Sequence, residues 1–215
     1  PGLVAAWGFD EGTGAAAADG SGKNHTGTIS GATWTAAGRY GGALDFDGVD
    51  DLVTVADADD LDLTTGLTLS AWVRPTTLGS DWRTVLLKES PGSLAYALYG
   101  HGGDTGPKVP LGEIFSSGYR TAPGPAPLPT SAWTHLATTY DGSVLALYVD
   151  GVQVGQLLYT GAAAISTGAL RIGGNTVWPE WFEGRIDEVR VYDRALTASD
   201  SRPAPSTREA CPAAA

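Results

Sequence analysis

Sulfur is nearly missing from this chain: none of its 215 residues is methionine, and only one, Cys211, is cysteine. A single thiol permits no internal disulfide. Cys211 also sits in a Pro- and Ala-rich stretch with no ordered partner to activate it, so neither a disulfide scaffold nor thiol catalysis is expected. Missing disulfides ordinarily favour the cytosol. The start at Pro1 and the lack of any methionine instead suggest a mature or excised module, secreted or held at a cell surface, whose export signal has been removed.

Positive charge is scarce too, with 13 Lys and Arg against 24 Asp and Glu and a formal net charge of -11. A polyphosphate would be repelled over most of such a surface, which excludes nucleic acid as a partner. No run of about 18 apolar residues occurs, so no membrane partner is expected. The three histidines, His25, His101 and His135, are far apart and none forms an HExxH pair, so a zinc hydrolase lacks its ligands. His135 lies inside a strand pattern and reads as a core or sheet-face residue. No Gly-x-Ser-x-Gly elbow supports a serine hydrolase.

Helical periodicity is the next absence; only Leu196 to Ser201 suggests a turn of helix. What the chain has in quantity is strand signal. With 42% hydrophobic and 17% charged residues it can fill a sizeable core. Runs of Val, Leu, Thr, Trp and Tyr recur between Gly, Asp and Pro punctuation. Alternation is clearest at Leu67 to Arg74. Trp133 to Tyr140, Val144 to Val149 and Val152 to Leu158 form a predicted meander, joined by turns at Asp141-Gly142 and Asp150-Gly151. Further strands are expected at Leu3 to Phe9, Ala43 to Phe46, Leu52 to Val55, Thr84 to Lys88, Leu94 to Tyr99, near Glu113 to Phe115, at Ala169 to Ile172 and at Phe182 to Tyr192. The fold class is therefore all-β, a two-sheet antiparallel sandwich over residues 1–200, with residues 201–215 as a Pro/Ala-rich linker or tail.

Two nucleotide-like motifs fail on context. Gly12-Thr-Gly14-Ala-Ala-Ala17 is followed by Asp19-Gly20-Ser21-Gly22, which stops the helix that a dinucleotide fingerprint needs. Gly22-Lys23 lacks both the earlier glycine and the following Ser or Thr of a phosphate loop. The segment Asp19 to Gly27 is more informative, because oxygen-bearing side chains alternate with glycines in the way a calcium loop requires. It is no EF-hand, since Lys23 and Ser30 fall where the fifth and twelfth ligands belong. A polar surface loop explains the same composition. Asn24-His25-Thr26 is also a glycosylation sequon.

The chain resembles the laminin-G-like jelly rolls of the concanavalin-A-like lectin/glucanase group. The resemblance rests on an ordered set: Leu3-Val-Ala-Ala-Trp-Gly-Phe-Asp-Glu-Gly, the Asp19 loop, Ala43-Leu-Asp-Phe-Asp-Gly-Val-Asp-Asp and Leu69-Ser-Ala-Trp-Val-Arg-Pro, then Trp133-Thr-His-Leu-Ala-Thr-Thr-Tyr-Asp-Gly, Leu147-Tyr-Val-Asp-Gly and Gly184-Arg-Ile-Asp-Glu-Val-Arg-Val-Tyr-Asp-Arg-Ala-Leu. It implies a structural calcium ion (Ca2+) near the first loop, held by Asp19, the carbonyls of Asn24 and Thr26, and Asp187. Glycosidases of the same group carry a Glu-x-Asp-x-x-Glu pattern on one strand, which sets acid and nucleophile on one face. Here the nearest segment, Arg185-Ile-Asp-Glu-Val-Arg190, has arginine where the nucleophile belongs and no glutamate at the acid position.

The expectation is thus a non-catalytic carbohydrate-binding module, accessory to a neighbouring catalytic domain. Its candidate sugar-stacking residues are Trp178, Trp181, Tyr96, Tyr99 and Tyr119, and its candidate hydroxyl partners are Arg74, Lys88, Glu113 and Arg120. Trp178-Pro-Glu-Trp181 leads the set, because two tryptophans flanking a proline in a loop are hard to bury together. Trp7, Trp34, Trp72 and Trp133 are assigned to packing. An adhesion or spacer domain is the alternative, and an enzyme using dispersed carboxylates such as Asp47, Asp50 and Glu113 ranks third.

Overall fold

The structure, a computed structural model, describes residues 1–104 and 108–197. Its first half holds β1 (Leu3–Trp7), β2 (Ala16–Ala17), β3 (Gly27–Ser30), β4 (Thr33–Thr35), β5 (Ala43–Asp47), β6 (Leu52–Val55), β7 (Leu67–Pro75) and β8 (Arg83–Ser90). The second half holds β9 (Ser93–Gly102), β10 (Val109–Phe115), β11 (Tyr119–Pro123), β12 (Thr134–Tyr140), β13 (Val144–Val149), β14 (Val152–Leu158), β15 (Leu170–Ile172) and β16 (Glu183–Tyr192). A short 3₁₀ turn at Asp59–Leu61 is the one helical element among the described residues. The turn expected at Leu196 to Ser201 runs beyond the described residues, and the proposed tail at 201–215 lies outside them.

The strands form two antiparallel eight-stranded sheets. One runs β14-β13-β12-β7-β16-β5-β4 with β1 also on β16; the other runs β11-β10-β9-β8-β15-β6-β3-β2. β16 serves two partners along one edge: Glu183 to Ile186 pair with β5, and Val189 to Tyr192 pair with β1. The change of partner coincides with a register irregularity between Asp187 and Arg190, where Glu188 takes a positive φ of 50°. A bulge of this kind bends the strand and re-aims its side chains.

Apolar alternation places Trp7, Phe9, Phe46, Leu69, Ile114, Leu136, Phe182 and Ile186 in one core cluster drawn from both sheets. The predicted meander forms as β12-β13-β14. Asp150 (φ 51°) and Gly151 (φ 80°) supply the left-handed pair that a two-residue hairpin turn demands. Asp141 Oδ1 accepts the N–H groups of Ser143 and Val144, both at 2.8 Å, and closes the other turn. β2, β3, β4 and β11 are absent from the sequence reading. They are two to five residues long, rich in Thr, Ser, Gly and Ala, and too short to establish a period.

Two features of the second sheet prepare the site. The sheets close tightly at Gly112 on β10, where a β-carbon would meet Thr138 Oγ1 of β12 at 1.9 Å. The outer face of this sheet carries a second apolar cluster, Leu87, Leu94, Ala97, Tyr99 and Leu111, with Trp82, Phe115 and Trp178 packed over it. β8, β9 and β10 are therefore buried on both faces. The Gly112 contact predicts that Gly112→Ala forces the sheets apart, lowering stability by about 1–3 kcal/mol. The corresponding fall in melting temperature is several degrees, at about 2–4 °C per kcal/mol for a chain of this size. A thermal melt unchanged from the parent would contradict the close approach.

Candidate functional site

A cleft opens on the outer face of the second sheet, lined by Trp82, Leu94, Tyr99, Asp104, Glu113, Tyr119, Trp178 and Glu180, with a volume of about 280 Å³. It runs into a neighbouring groove that shares Trp82, Asp104, Glu113 and Tyr119 and reaches Thr121 and Pro123. Strand alternation supplies its floor. On β10, Leu111, Glu113 and Phe115 face outward, while Ile114 joins the inner core and Gly112 meets the opposite sheet. Register then sets Thr121 beside Glu113 and Tyr119 beside Phe115.

The walls come from two loops. Trp82, just before β8, stands edge-on to Tyr99 with ring centroids 4.8 Å apart. Its ring lies over Gly102, where a β-carbon would come within 2.4 Å of it, so only glycine fits beneath. Lys108 Nζ sits 5.4 Å from the centroid of that ring and donates to the Gly103 carbonyl. Opposite, fully buried Asn175 organises the loop that bears Trp178 and Glu180. Its Oδ1 accepts the N–H groups of Val177 and Trp178, and its Nδ2 donates to Thr84 Oγ1 and to Glu180 Oε2 at 2.8 Å. Glu89 anchors the same loop by accepting from the N–H and hydroxyl of Thr176, while its other oxygen pairs with Arg171 at 3.0 Å.

Each cleft glutamate is pinned at one oxygen. Glu113 Oε1 accepts from Thr121 Oγ1 at 2.7 Å. Glu180 Oε2 accepts from Asn175, from the Tyr99 hydroxyl at 3.1 Å and from Thr84. Among the described residues the second oxygen of each accepts no hydrogen bond from the protein. Burial pushes the Glu113 carboxyl up to about 7, against the Thr121 bond and with help from Asp104 and Glu180. Burial also raises Glu180, against its three hydrogen bonds. The site thus offers aromatic faces and edges beside fixed carboxylate acceptors.

Of the nine expected sugar contacts, the structure brings together Tyr99, Glu113, Tyr119 and Trp178. The other five lie elsewhere. Tyr96 is three residues from Tyr99 and so points to the opposite face, fully buried, donating to the Leu61 carbonyl at 2.8 Å. Lys88 is fully buried, pairs with Asp57 and donates to the Ser166 and Gly168 carbonyls. Arg120, between outward Tyr119 and Thr121, turns inward and stacks 4.5 Å from the Tyr159 centroid. Arg74 belongs to the other sheet, donating to the Ser131 carbonyl beside Asp45 and Arg185. Trp181 lays its ring against Gly174 and does not line the cleft.

Trp82, Leu94, Asp104, Thr121, Asn175 and Glu180 were not anticipated. The argument that selected Trp178, a tryptophan in a polar loop, applies equally to Trp82 between Asp81 and Arg83. Asn175 and Thr121 carry no local signal.

The residues expected to hold calcium are distributed as follows. Asp19 Oδ1 accepts from Ala6 N and Ser21 N, and its Oδ2 from Ser21 Oγ and His25 N. Burial opposes its charge, but these bonds outweigh it and hold the carboxyl below its usual range. Asp19 thus braces the first loop through hydrogen bonds that occupy both oxygens. Asn24 takes a left-handed φ of 66°, and Asn24 and Thr26 are exposed. Asp187 is fully buried; its Oδ2 accepts from the N–H groups of Arg39 and Tyr40, and its Oδ1 has no hydrogen-bond partner. An orphaned buried carboxylate oxygen of this kind suits a cation. Asp47, Asp50 and Asp51 form a tight carboxylate group, with Asp51 accepting from Asp47 N at 2.8 Å across the turn from β5 to β6.

Known proteins match this geometry and sequence. Domain 4 of AbnA, a GH43 extracellular arabinanase from Geobacillus stearothermophilus solved in complex with arabinotriose, superposes with a TM-score of 0.78 at 25% identity, over 93% of this chain and 96% of that one. The binding domain of Paraclostridial Mosquitocidal Protein 1 superposes with a TM-score of 0.72 at 13% identity, over 93% of this chain and 51% of that one. A Trypanosoma rangeli sialidase in complex with the inhibitor DANA gives a TM-score of 0.66 at 18% identity, over 93% and 32%. The latter two share the fold alone. No curated protein matches the sequence. The concanavalin A-like lectin/glucanases superfamily matches residues 46–200, and the chain belongs to that family.

Proposed function

We propose that the chain is a non-catalytic carbohydrate-binding module whose glycan lies in the outer-face cleft. One observation carries this reading: Trp82, Tyr99 and Trp178 converge on a cleft in which Glu113 and Glu180 each keep one oxygen open. A sugar ring presents C–H faces and hydroxyl donors, and such a site meets both, through aromatic contact and charge-assisted hydrogen bonds. The likeness to a domain of an arabinanase supports an oligosaccharide ligand, an accessory role beside a catalytic domain and action outside the cell. The absence of the strand carboxylate pattern at Arg185 to Arg190 supports binding without turnover.

Isothermal titration with arabinotriose and linear arabinan tests the reading. Trp178→Ala and Trp82→Ala should each weaken binding by about thirtyfold or more, the loss of a central aromatic anchor worth about 2 kcal/mol. Arg74→Ala, on the other sheet, should leave affinity unchanged. Release of reducing ends that disappears in Glu113→Gln would replace the binding module with an enzyme.

The buried carboxyl of Glu113 also links stability to pH. Its folded pKa of about 7 lies above the unfolded value, so the folded state holds the extra proton and stability falls as pH rises from about 4.5 to about 7. Glu113→Gln removes its share of that slope. The variant should be more stable than the parent at pH 8, by up to about 3 kcal/mol at about 1.4 kcal/mol per pH unit, and less distinct from it at pH 4. Chemical denaturation at the two pH values reads the difference.

Calcium belongs to the proposal as a structural ion, with the unpaired Oδ1 of Asp187 as its anchor. With free calcium a hundredfold above its dissociation constant, the gain is about 2.7 kcal/mol. A melting curve that EDTA leaves in place removes the ion from this reading.

A further inference from the structure

Resting on the glycan-binding reading, we infer that the cleft selects uncharged glycans and rejects those carrying uronate or sialate groups. The ionisable lining of the cleft consists of three carboxylates and two phenols. Among the described residues, Asp104, Glu113 and Glu180 line the cleft together with Tyr119 and with Tyr99, whose hydroxyl donates to Glu180, and no arginine or lysine does. The nearby cation, Lys108, is held over the Trp82 ring and bound to the Gly103 carbonyl; its charge favours the ionised form of Glu180, and it is not among the residues that line the cleft. Recognition of a carboxylate sugar calls for a cationic fork or a set of N–H donors. Here the arginines closest in sequence to the cleft residues point elsewhere: Arg83 donates to the Leu78 and Trp181 carbonyls, and Arg120 stacks on Tyr159.

The open oxygens of Glu113 and Glu180 accept hydrogen bonds and cannot donate them once ionised. A neutral sugar satisfies them with its hydroxyls. An acidic sugar would bring a like charge into a half-buried site, where screening by salt is weak. Close like-charge contact in such a site suppresses a wrong partner strongly, by at least about a hundredfold.

The test uses the full chain at pH 8, where Glu113 is ionised, and titrates it with arabinotriose and with trigalacturonic acid. The neutral trisaccharide should bind at least about a hundredfold more tightly. Glu180→Gln should reduce that ratio about tenfold, by weakening the neutral ligand and relieving the acidic one. Asp59→Asn makes the same change in net charge at an exposed residue outside the cleft, and should leave the ratio as it was. Equal binding of the two ligands, lost in Trp178→Ala, overturns the selectivity and leaves glycan binding standing. A ratio that shifts as much in Asp59→Asn as in Glu180→Gln assigns the discrimination to the net charge and overturns it too. Binding of neither ligand by a folded chain overturns the glycan reading itself.

Discussion

Side-chain alternation along β10 ties the core of this protein to its cleft, because the backbone that presents Glu113 outward must send Gly112 and Ile114 inward against the facing sheet. The register is fixed from the inside. Gly112 fits only where Thr138 approaches it, and Ile114 is fully buried, so a slip of one residue would bury the carboxylate and expose the isoleucine. The position of Glu113 in the cleft follows from packing on the other side of its own strand. Thr121 and Tyr119 inherit their places through pairing with β10.

Burial on both faces extends this logic to β8 and β9. Their outer face would be an apolar patch of Leu87, Leu94, Ala97, Tyr99 and Leu111, which soluble domains rarely leave open. Trp82 and Trp178 cover its rim from two loops and leave the cleft between them. The loops are held by buried polar contacts and not by their own propensity. Asn175 saturates its amide on Thr84, Glu180, Val177 and Trp178, Glu89 fixes Thr176, and Arg83 reaches the Trp181 carbonyl. Satisfied buried networks of this kind rigidify a site before any ligand arrives.

The carboxyl groups in the cleft oppose stability. Glu113 is raised to about 7 because its charged form is poorly solvated there, and Glu180 is raised for the same reason despite three donors. A chain selected for stability alone would replace them with neutral residues. Retained polar groups at a local stability cost are a common mark of functional sites.

The sheet class, most of the longer strands and both Asp-Gly hairpins were legible in the residues, since each rests on short-range periodicity or on turn chemistry that neighbouring residues complete, and the family was legible in the order of its short motifs. The sequence also singled out Trp178, Tyr99, Tyr119 and Glu113. It did not separate Tyr99 from Tyr96 or Tyr119 from Arg120, although odd spacing along a strand already implies opposite faces, because which face looks into the core depends on the partner sheet. Lys88 resembles a surface lysine in composition, yet it reaches Asp57 and the Ser166 carbonyl across loops far apart in the chain. Asp19 and Asp187 likewise gain their roles from donors that the topology delivers: Ala6 for one, Arg39 and Tyr40 for the other. Only the folded topology gathers Trp82, Glu113 and Glu180 around one cleft, since residues 31 to 98 positions apart in the chain leave no local trace of their proximity.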